Sequence, residues 1–195
     1  MKKNKRKLFV PTKEELEKEL SREKYKIRYK QMLKSTVYTL VIVIAISSLL
    51  STLLFPVLKI YGKSMSPTLT LGDIVLCMKK STYYNGDIIA LYYNNKILIK
   101  RVIGVASDWI DIDDEGNVFV NDILLEESYV KEKSNGETDI EYPYQVPEDS
   151  YFVLGDDRES SIDSRNSVVG TILKEDILGK IIFKLWPIKR MGIIK

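Results

Sequence analysis

The chain has 195 residues, 45% of them hydrophobic and 29% charged, which is enough for one domain with its own core. It contains no histidine and one cysteine, Cys77. These counts exclude a Ser-His-Asp triad and an intramolecular disulfide, and they leave too few thiol or imidazole ligands for a zinc site. We therefore expect no metal and no cofactor, and any nucleophile needs a base other than histidine.

The formal net charge of +3 is unevenly distributed along the chain. Residues 1–34 hold 13 Lys and Arg against 5 Asp and Glu, whereas residues 35–195 hold 17 against 22. A basic segment beside an apolar one is typical of a cytoplasmic flank at an anionic membrane surface, whereas a nucleic-acid-binding protein carries its basic patch on the folded domain. We predict a basic cytoplasmic tail over residues 1–34 and no nucleic-acid partner.

A helix is predicted to begin near Thr12, because Thr12 as N-cap and Glu15 three residues later form a capping box, and to run to about Lys34. The next stretch, residues 35–58, has no charged side chain and would reach about 36 Å as a helix, enough to cross a hydrocarbon core of roughly 30 Å. It is too long for the apolar part of a cleavable signal peptide and lacks the polar face of a core helix. We predict a single transmembrane anchor in the cell membrane, with the N-terminus cytoplasmic and residues 59–195 extracytoplasmic.

Beyond Lys59 the pattern changes to short strands separated by turns such as Asn94-Asn95 and Asn121-Asp122. The predicted strands cover residues 73–78, 87–93, 97–105, 118–120, 151–154 and 181–185. Residues 109–147 are more polar and predict a small hairpin-bearing subdomain inserted into the main sheet. The fold class is therefore mainly antiparallel β behind one N-terminal transmembrane helix, with a final strand and a turn expected over residues 181–195.

Three segments offer chemistry. Residues 62–69 could present a serine on a tight turn close to the end of the membrane helix, and the residues alone do not choose between Ser64 and Ser66. The second segment is the strand around Lys100, where alternation places Leu98 and Val102 on the same face as the lysine. Apolar neighbours favour a neutral amine, which can accept a serine proton, although an isolated lysine on such a strand more often snorkels to the surface.

The third segment, residues 155–165, is a dense polar loop directly after a predicted apolar strand. It is either a solvated turn or a network of carboxylates and arginines that positions a hydroxyl beside the lysine. Arg101, on the strand face opposite Lys100, should find an acidic partner.

Taken together, these segments resemble the motif boxes of the bacterial type I signal peptidases, in the family's order after an N-terminal anchor. Residues 62–69 resemble the serine box, residues 72–75 the short box after it, residues 100–104 the lysine box and residues 155–165 the last box. The resemblance covers most of residues 35–195. It implies a membrane-bound serine endopeptidase that removes N-terminal signal peptides from exported preproteins, which would be its partners together with the lipid bilayer.

The resemblance also implies roles for single residues. Ser64 would be the nucleophile and Lys100 the general base, with Met65 and Leu69 in substrate binding. The remaining residues would support or orient the catalytic pair: Ser161, Asp156, Asp163, Arg101, Arg165 and Gly155. The Ser64 backbone N–H would hold the oxyanion, with a second donor left open because some relatives have a hydroxyl residue where this chain has Gly62.

The chain departs from the family pattern at two further places, with Ala106-Ser107 where Pro-Gly is frequent and Asp157 where Asn is frequent.

Two other functions compete with the peptidase. A self-cleaving Ser/Lys domain of the DNA-damage repressors would carry a DNA-binding domain in place of the membrane span. An inactive membrane-tethered binding or assembly module of the same fold is disfavoured because both Ser64 and Lys100 are present, and a cleavage assay distinguishes it from an active enzyme.

Overall fold

The computed structural model describes residues 11–194, so residues 1–10 of the predicted tail lie outside the described part. The chain divides into two compact units, one ending at Leu50 and the other beginning at Ser51. Each unit is described by itself.

The first unit is helical. Helix α1 (Lys13–Leu54) begins as the capping box predicts, because the Glu15 N–H donates to Thr12 Oγ1 at 3.4 Å and the Thr12 N–H donates to Glu15 Oε2 at 3.0 Å. The helix is exposed along the side chains described, and its later part is strongly apolar. Within the described residues it is the one helix long and apolar enough to cross a membrane.

The anchor helix ends earlier than predicted. The uncharged stretch predicts an end at Leu58, but the helix stops at Leu54 and residues 57–59 form a strand instead. Pro56 is the physical reason, because proline has no N–H for a helical hydrogen bond and disfavours helical backbone at the preceding residue. The uncharged helical part, residues 35–54, still rises about 30 Å.

The second unit is built almost entirely of antiparallel strands, as predicted. Their bounds are β1 (Val57–Lys59), β2 (Ile74–Met78), β3 (Ile88–Tyr93), β4 (Lys96–Gly104), β5 (Trp109–Ile112), β6 (Val118–Val120), β7 (Ile123–Leu124), β8 (Tyr144–Gln145), β9 (Ser150–Leu154), β10 (Ile172–Leu173), β11 (Ile177–Trp186) and β12 (Gly192–Ile193). Short 3-10 helices cover Lys174–Asp176 and Ile188–Arg190.

Eight of these strands form one sheet in the order β1-β2-β11-β3-β4-β9-β10, with β12 pairing β11. The register pairs Ile89 with Lys100 between β3 and β4, and Arg101 with Leu154 between β4 and β9. Strand β9 pairs with β4 only from Arg101 onward, so the earlier half of β4 keeps one edge open among the described strands. Strand β1 is an edge of the same sheet.

The second sheet has four strands in the order β7-β6-β5-β8 and lies within the predicted insertion at residues 109–147. Its inward side packs on the large sheet through a buried cluster that includes Ile103 of β4, Ile110 of β5 and Phe152 of β9. Gly104 is required at this junction, because a Cβ there would lie 2.5 Å from Ile110 Cδ1. The insertion is therefore a second layer over the end of β4 that follows Lys100.

Candidate active site

The segment between β1 and β2, residues 61–72, forms a closed loop that we call the serine loop. Its two ends are joined by backbone hydrogen bonds, from the Ile60 N–H to Asp73 O at 2.8 Å and from the Gly72 N–H to Ile60 O at 2.9 Å. Gly72 has φ +89°, a conformation that glycine adopts without strain. The sheet therefore fixes both ends of the loop.

Ser64 lies on the first turn of the serine loop. The turn is closed by hydrogen bonds from the Ser66 N–H to Lys63 O and from the Leu69 N–H to Met65 O, both 2.8 Å long. Ser64 is half-buried, and its carbonyl oxygen accepts a hydrogen bond from the Asp157 N–H at 3.0 Å. The loop after β9 thus holds the serine loop at Ser64 itself.

Lys100 lies in the middle of β4 and is 3% exposed. Its Nζ donates a hydrogen bond to Ser161 Oγ at 2.6 Å. Leu98 and Val102, two positions to either side, pack in one hydrophobic cluster, as strand alternation predicts. Burial lowers the pKa of Lys100 to about 8, an effect that the Asp163 carboxylate opposes and the Arg165 guanidinium reinforces.

Gly155 is the point where the serine loop and the hydroxyl partner of Lys100 meet. A Cβ at this position would lie 2.2 Å from Ser161 Oγ and 2.5 Å from the Ser64 carbonyl oxygen. Both atoms therefore press against the same glycine, and Ser161 in turn bonds Lys100. The Ser64 backbone, Gly155, Ser161 and Lys100 are thus linked by a chain of direct contacts.

The loop after β9, residues 155–167, is called the ionic loop here. Arg165 binds Asp163 through Nε to Oδ1 at 2.8 Å and Nη2 to Oδ2 at 3.0 Å, and the Gly155 N–H donates to Asp163 Oδ2 at 3.0 Å. Burial raises the pKa of Asp163, but the Arg165 hydrogen bonds and charge, the Gly155 N–H and the Ser161 hydroxyl outweigh it and lower the pKa. The carboxylate therefore stays ionised beside Ser161.

Arg101 finds the acidic partner that its strand position predicts. Its Nε and Nη2 each lie 2.8 Å from a carboxylate oxygen of Asp156, and its Nη1 donates to Gly86 O at 2.9 Å. Asp156 also accepts a hydrogen bond from the Thr68 hydroxyl. The ion pair thus ties β4 to both the ionic loop and the serine loop.

Lys184 of β11 contacts the serine loop and the residue that follows it. Its Nζ lies 2.8 Å from Asp73 Oδ2 and donates to Thr68 O at 3.0 Å. Arg190 contacts Asp73 Oδ1 at 3.0 Å. In the sequence Lys184 is only an interruption of an apolar run, whereas the structure gives it two partners, the buried Asp73 and the half-buried Thr68.

A groove of about 580 Å³ runs from Ser64 along the open edges of β1 and β4. Its lining is mostly apolar and includes Leu58, Ile60, Met65 and Ile99. Met65 is part of this lining, although it is 2% exposed and belongs to the same core cluster as Leu69, and its contact with substrate stays a prediction. Leu69 is fully buried and lies outside the described groove lining, contrary to the substrate contact expected of it.

Comparison with known proteins identifies the family of this chain. A profile of the family described as "Signal peptidase, peptidase S26" matches residues 33–186. The chain belongs to this family. It is a peptidase, and the expectations of a type I signal peptidase and of signal-peptide removal are thereby confirmed.

Several curated signal peptidases are similar to the chain. It is 34% identical over 151 residues to "Signal peptidase I P" of Bacillus subtilis subsp. natto, and the aligned region covers 71% of the chain and 80% of that protein. It is 33% identical over 147 residues to "Signal peptidase I" of Leptolyngbya laminosa, covering 68% and 70%. It is 36% identical over 141 residues to "Thylakoidal processing peptidase 1, chloroplastic" of Arabidopsis thaliana, covering 64% of the chain and 40% of that protein. A crystal structure of a signal peptidase I from Enterococcus faecalis V583 matches with 27% identity and a TM-score of 0.44, over 51% of the chain and 97% of that structure.

The two departures from the family pattern have local consequences in this signal peptidase. Ser107 has φ +72°, a conformation that the family's glycine adopts without strain. Asp157 keeps its side chain at the half-buried rim, where Oδ1 accepts from the Ser160 N–H at 3.2 Å. Neither residue lies between Lys100 and Ser161.

The sequence assigns no individual role to five residues of the site, namely Thr68, Glu127, Tyr129, Arg158 and Lys184. Arg158 lies inside the predicted polar loop, but nothing in the sequence separates its partner Glu127 from the other acidic residues of the insertion. Burial would have been the distinguishing signal, since Glu127 and Arg158 are 8% and 1% exposed. A single sequence does not report burial of charged residues.

Proposed function

We propose that Ser64 is the nucleophile and Lys100 the general base of a peptidase that cleaves signal peptides from exported preproteins. The observation that carries this assignment is the buried hydrogen bond of Lys100 to Ser161 beside the Ser64 segment, combined with a lysine pKa of about 8. A lysine with an ordinary pKa is almost fully protonated at neutral pH, so the lowered pKa makes the neutral form accessible.

The reaction is an acyl transfer. Neutral Lys100 takes the Ser64 hydroxyl proton as Oγ attacks the carbonyl carbon, and the same proton then passes to the leaving amine as the C–N bond breaks. The signal peptide remains as an ester on Ser64. A water molecule, deprotonated by Lys100, then attacks the ester carbonyl. The C–Oγ bond breaks, Lys100 returns the proton to Ser64 Oγ, and the signal peptide leaves with a new carboxyl terminus.

Substrate binding by strand addition is supported by the two open strand edges. An extended segment in the groove would add to β1 or to the first half of β4 by main-chain hydrogen bonds, and alternate side chains would face the apolar lining. Leu58, Met65 and Ile99 are among the lining residues, and these would face the small residues that the family accepts before the cut.

The supporting residues act through geometry in this proposal. Ser161 orients the Lys100 amine, while the Asp163–Arg165 and Arg101–Asp156 pairs hold the loop on which Ser161 lies. The backbone N–H of Ser64 is assigned to the oxyanion.

We further propose that the helix anchors the protein with its basic end in the cytoplasm and residues 59–195 outside. The excess of Lys and Arg before residue 35 supports this orientation. Protease added to intact spheroplasts should degrade the catalytic unit, whereas complete protection until lysis would reverse the assignment.

The nucleophile is tested with purified full-length protein and a synthetic preprotein whose products are identified by mass spectrometry. Ser64→Ala should abolish cleavage, whereas Ser66→Ala, the matched control two residues away, should retain substantial activity. A folded Ser64→Ala protein that still cleaves the substrate would overturn the assignment.

A further inference from the structure

Two residues of the inserted subdomain reach the arginines that surround the active site. They are Glu127 and Tyr129, in the segment of residues 125–143 that connects β7 to β8 and that we call the connecting segment. The Tyr129 hydroxyl donates to Glu127 Oε1 at 3.1 Å, so the two side chains form one unit.

Glu127 forms a buried ion pair with Arg158 of the ionic loop. Its carboxylate accepts from Arg158 Nη1 at 3.1 Å and from Nη2, and the two side chains are 0% and 1% exposed. Arg158 Nε also donates to Gly155 O at 3.0 Å. The pair therefore fixes the glycine against which Ser64 and Ser161 pack.

Tyr129 packs against a second arginine, Arg101. The Arg101 guanidinium carbon lies 3.8 Å from the centre of the Tyr129 ring, close enough for a cation–π contact, and Arg101 is buried. The ion-pair partner of Arg101 is Asp156, the residue after Gly155. Tyr129 thus packs against the ion pair that joins β4 to the ionic loop.

The connecting segment makes further contacts with the same loop. Arg165 Nη1 donates to Ser134 O at 2.9 Å, and the Asp139 N–H donates to Arg165 O at 3.1 Å. Gly136 is required here, because a Cβ would lie 2.8 Å from both Arg158 O and Arg165 Nη1. The segment therefore follows the ionic loop over most of its length.

We propose that Glu127 and Tyr129 are positioning residues of the peptidase reaction, which act through Arg158 and Arg101 to hold Ser161 and Gly155 against Lys100 and Ser64. This inference rests on the proposed Ser64 and Lys100 mechanism. It assigns the inserted subdomain a catalytic purpose, because the Glu127–Arg158 ion pair and the Tyr129 ring hold the ionic loop from the side of the insertion, in addition to its Asp163–Arg165 and Arg101–Asp156 pairs.

A positioning role differs from a role in stability alone by its effect on Lys100. If the ionic loop loosens, water reaches Lys100 and its pKa rises toward the ordinary value of a lysine. The groups whose charges act on Lys100 are Asp163 and Arg165, both on the ionic loop, and its hydroxyl partner Ser161 is on the same loop. Loosening therefore alters kcat and the pH at which activity rises, which a loss of stability elsewhere does not.

The test uses full-length protein in detergent micelles with three variants. Tyr129→Leu removes the ring over Arg101, Tyr129→Phe keeps the ring and removes the hydroxyl, and Tyr144→Leu is the matched control. Tyr144 is also half-buried in the subdomain, but it packs on Phe152 of β9, with ring centres 5.8 Å apart, in the cluster between the two sheets. Glu127→Gln serves as a further variant if it folds.

Tyr129→Leu should lower kcat roughly tenfold with KM nearly unchanged, since small misplacements of catalytic groups have effects of this size or larger. The midpoint of the pH–activity profile of this variant should shift to higher pH. Tyr129→Phe should keep most of the activity and the wild-type midpoint, and Tyr144→Leu should lower the melting temperature without moving the midpoint.

The inference is wrong if Tyr129→Leu behaves like Tyr144→Leu, losing stability but keeping kcat and the pH midpoint. Lys100→Met separates this failure from that of the proposed function. If the Lys100→Met enzyme is active, the Ser/Lys mechanism itself is wrong. If Lys100→Met is inactive while Tyr129→Leu keeps its kcat and pH midpoint, only the role of the connecting segment is wrong.

Discussion

The Thr68 hydroxyl donates a hydrogen bond to Asp156, and this contact joins the serine loop to the ionic loop across 88 positions of sequence. Asp156 is simultaneously held by two hydrogen bonds from Arg101. The serine loop and strand β4, which carries Lys100, are therefore connected through one buried carboxylate, and Lys184 of β11 donates to the Thr68 carbonyl.

Thr68→Val should reduce activity while the protein remains folded. Valine has nearly the shape of threonine but leaves the buried carboxylate with one hydrogen bond fewer, which costs about 1–3 kcal/mol. We expect a fall in kcat with a modest fall in melting temperature. Thr171→Val, at a half-buried threonine beside the far edge strand β10, is the control and should keep full activity. Wild-type kcat in Thr68→Val would show that the contact has no part in catalysis.

Gly155→Ala should inactivate the enzyme. Its Cβ would overlap Ser161 Oγ and the Ser64 carbonyl oxygen, so Ser161 or the serine loop must move. Gly192→Ala in β12 introduces the same methyl group where nothing lies within 4 Å, and it should be silent. Cleavage rates and melting curves of both variants measure the difference, and a fully active Gly155→Ala enzyme would contradict the packing described for this site.

The pH dependence of the reaction should reflect Lys100. Because burial lowers its pKa to about 8, roughly a tenth of the protein has a neutral lysine at pH 7, and kcat/KM should rise with pH through about 8. Lys100→Met should be inactive across the range, and Lys100→Arg should be inactive because a guanidinium stays protonated. A pH–rate profile that is flat between pH 6 and about 9 would contradict the lysine base.

The same ionisation has a consequence for stability. The folded pKa of Lys100 lies below the unfolded one of 10.5, so the unfolded chain binds more protons between about pH 8 and 10.5. This group therefore makes the protein more stable as pH rises through that window and contributes no pH dependence well below it. The wild type should gain stability relative to Lys100→Met over this range in denaturant titrations, and an unchanged difference would be inconsistent with a depressed pKa.

Lys184→Met should destabilise the protein by about 3 kcal/mol, because it removes the nearest cation from the buried Asp73 carboxylate.

Burial raises the pKa of Asp73, but hydrogen bonds and charge from Lys184, the Thr70 N–H and Arg190 outweigh this effect and lower the pKa. The carboxylate therefore stabilises the fold above its unfolded pKa, and the benefit is lost as pH falls through the folded one. The gap in melting temperature between wild type and Asp73→Asn should narrow in acid, and a gap independent of pH would refute the ionic role.

Sequence alone determined the class of this protein because the relevant signals are local. The uncharged stretch after residue 35 and the capping box at Thr12 depend on neighbouring residues, and both appear in the helix. The strand alternation around Lys100 likewise placed Leu98 and Val102 in one apolar cluster. The absence of histidine excluded only the usual base, and the choice of Lys100 came from the resemblance of its strand to the family's lysine box.

Boundaries and partners were decided only by the tertiary structure. The helix ended at Leu54 because Pro56 ends the hydrogen-bond ladder and residues 57–59 gain a sheet partner in β2, which hydrophobicity does not report. Leu69 belongs to the core instead of the groove because the serine loop folds back between Ile60 and Asp73. Arg101 meets Asp156 across 55 positions, and Arg158 meets Glu127 across 31. Such pairs are selected by chain packing and by the cost of leaving a buried charge unpaired, so neither spacing nor composition specifies which of 27 acidic residues each arginine binds.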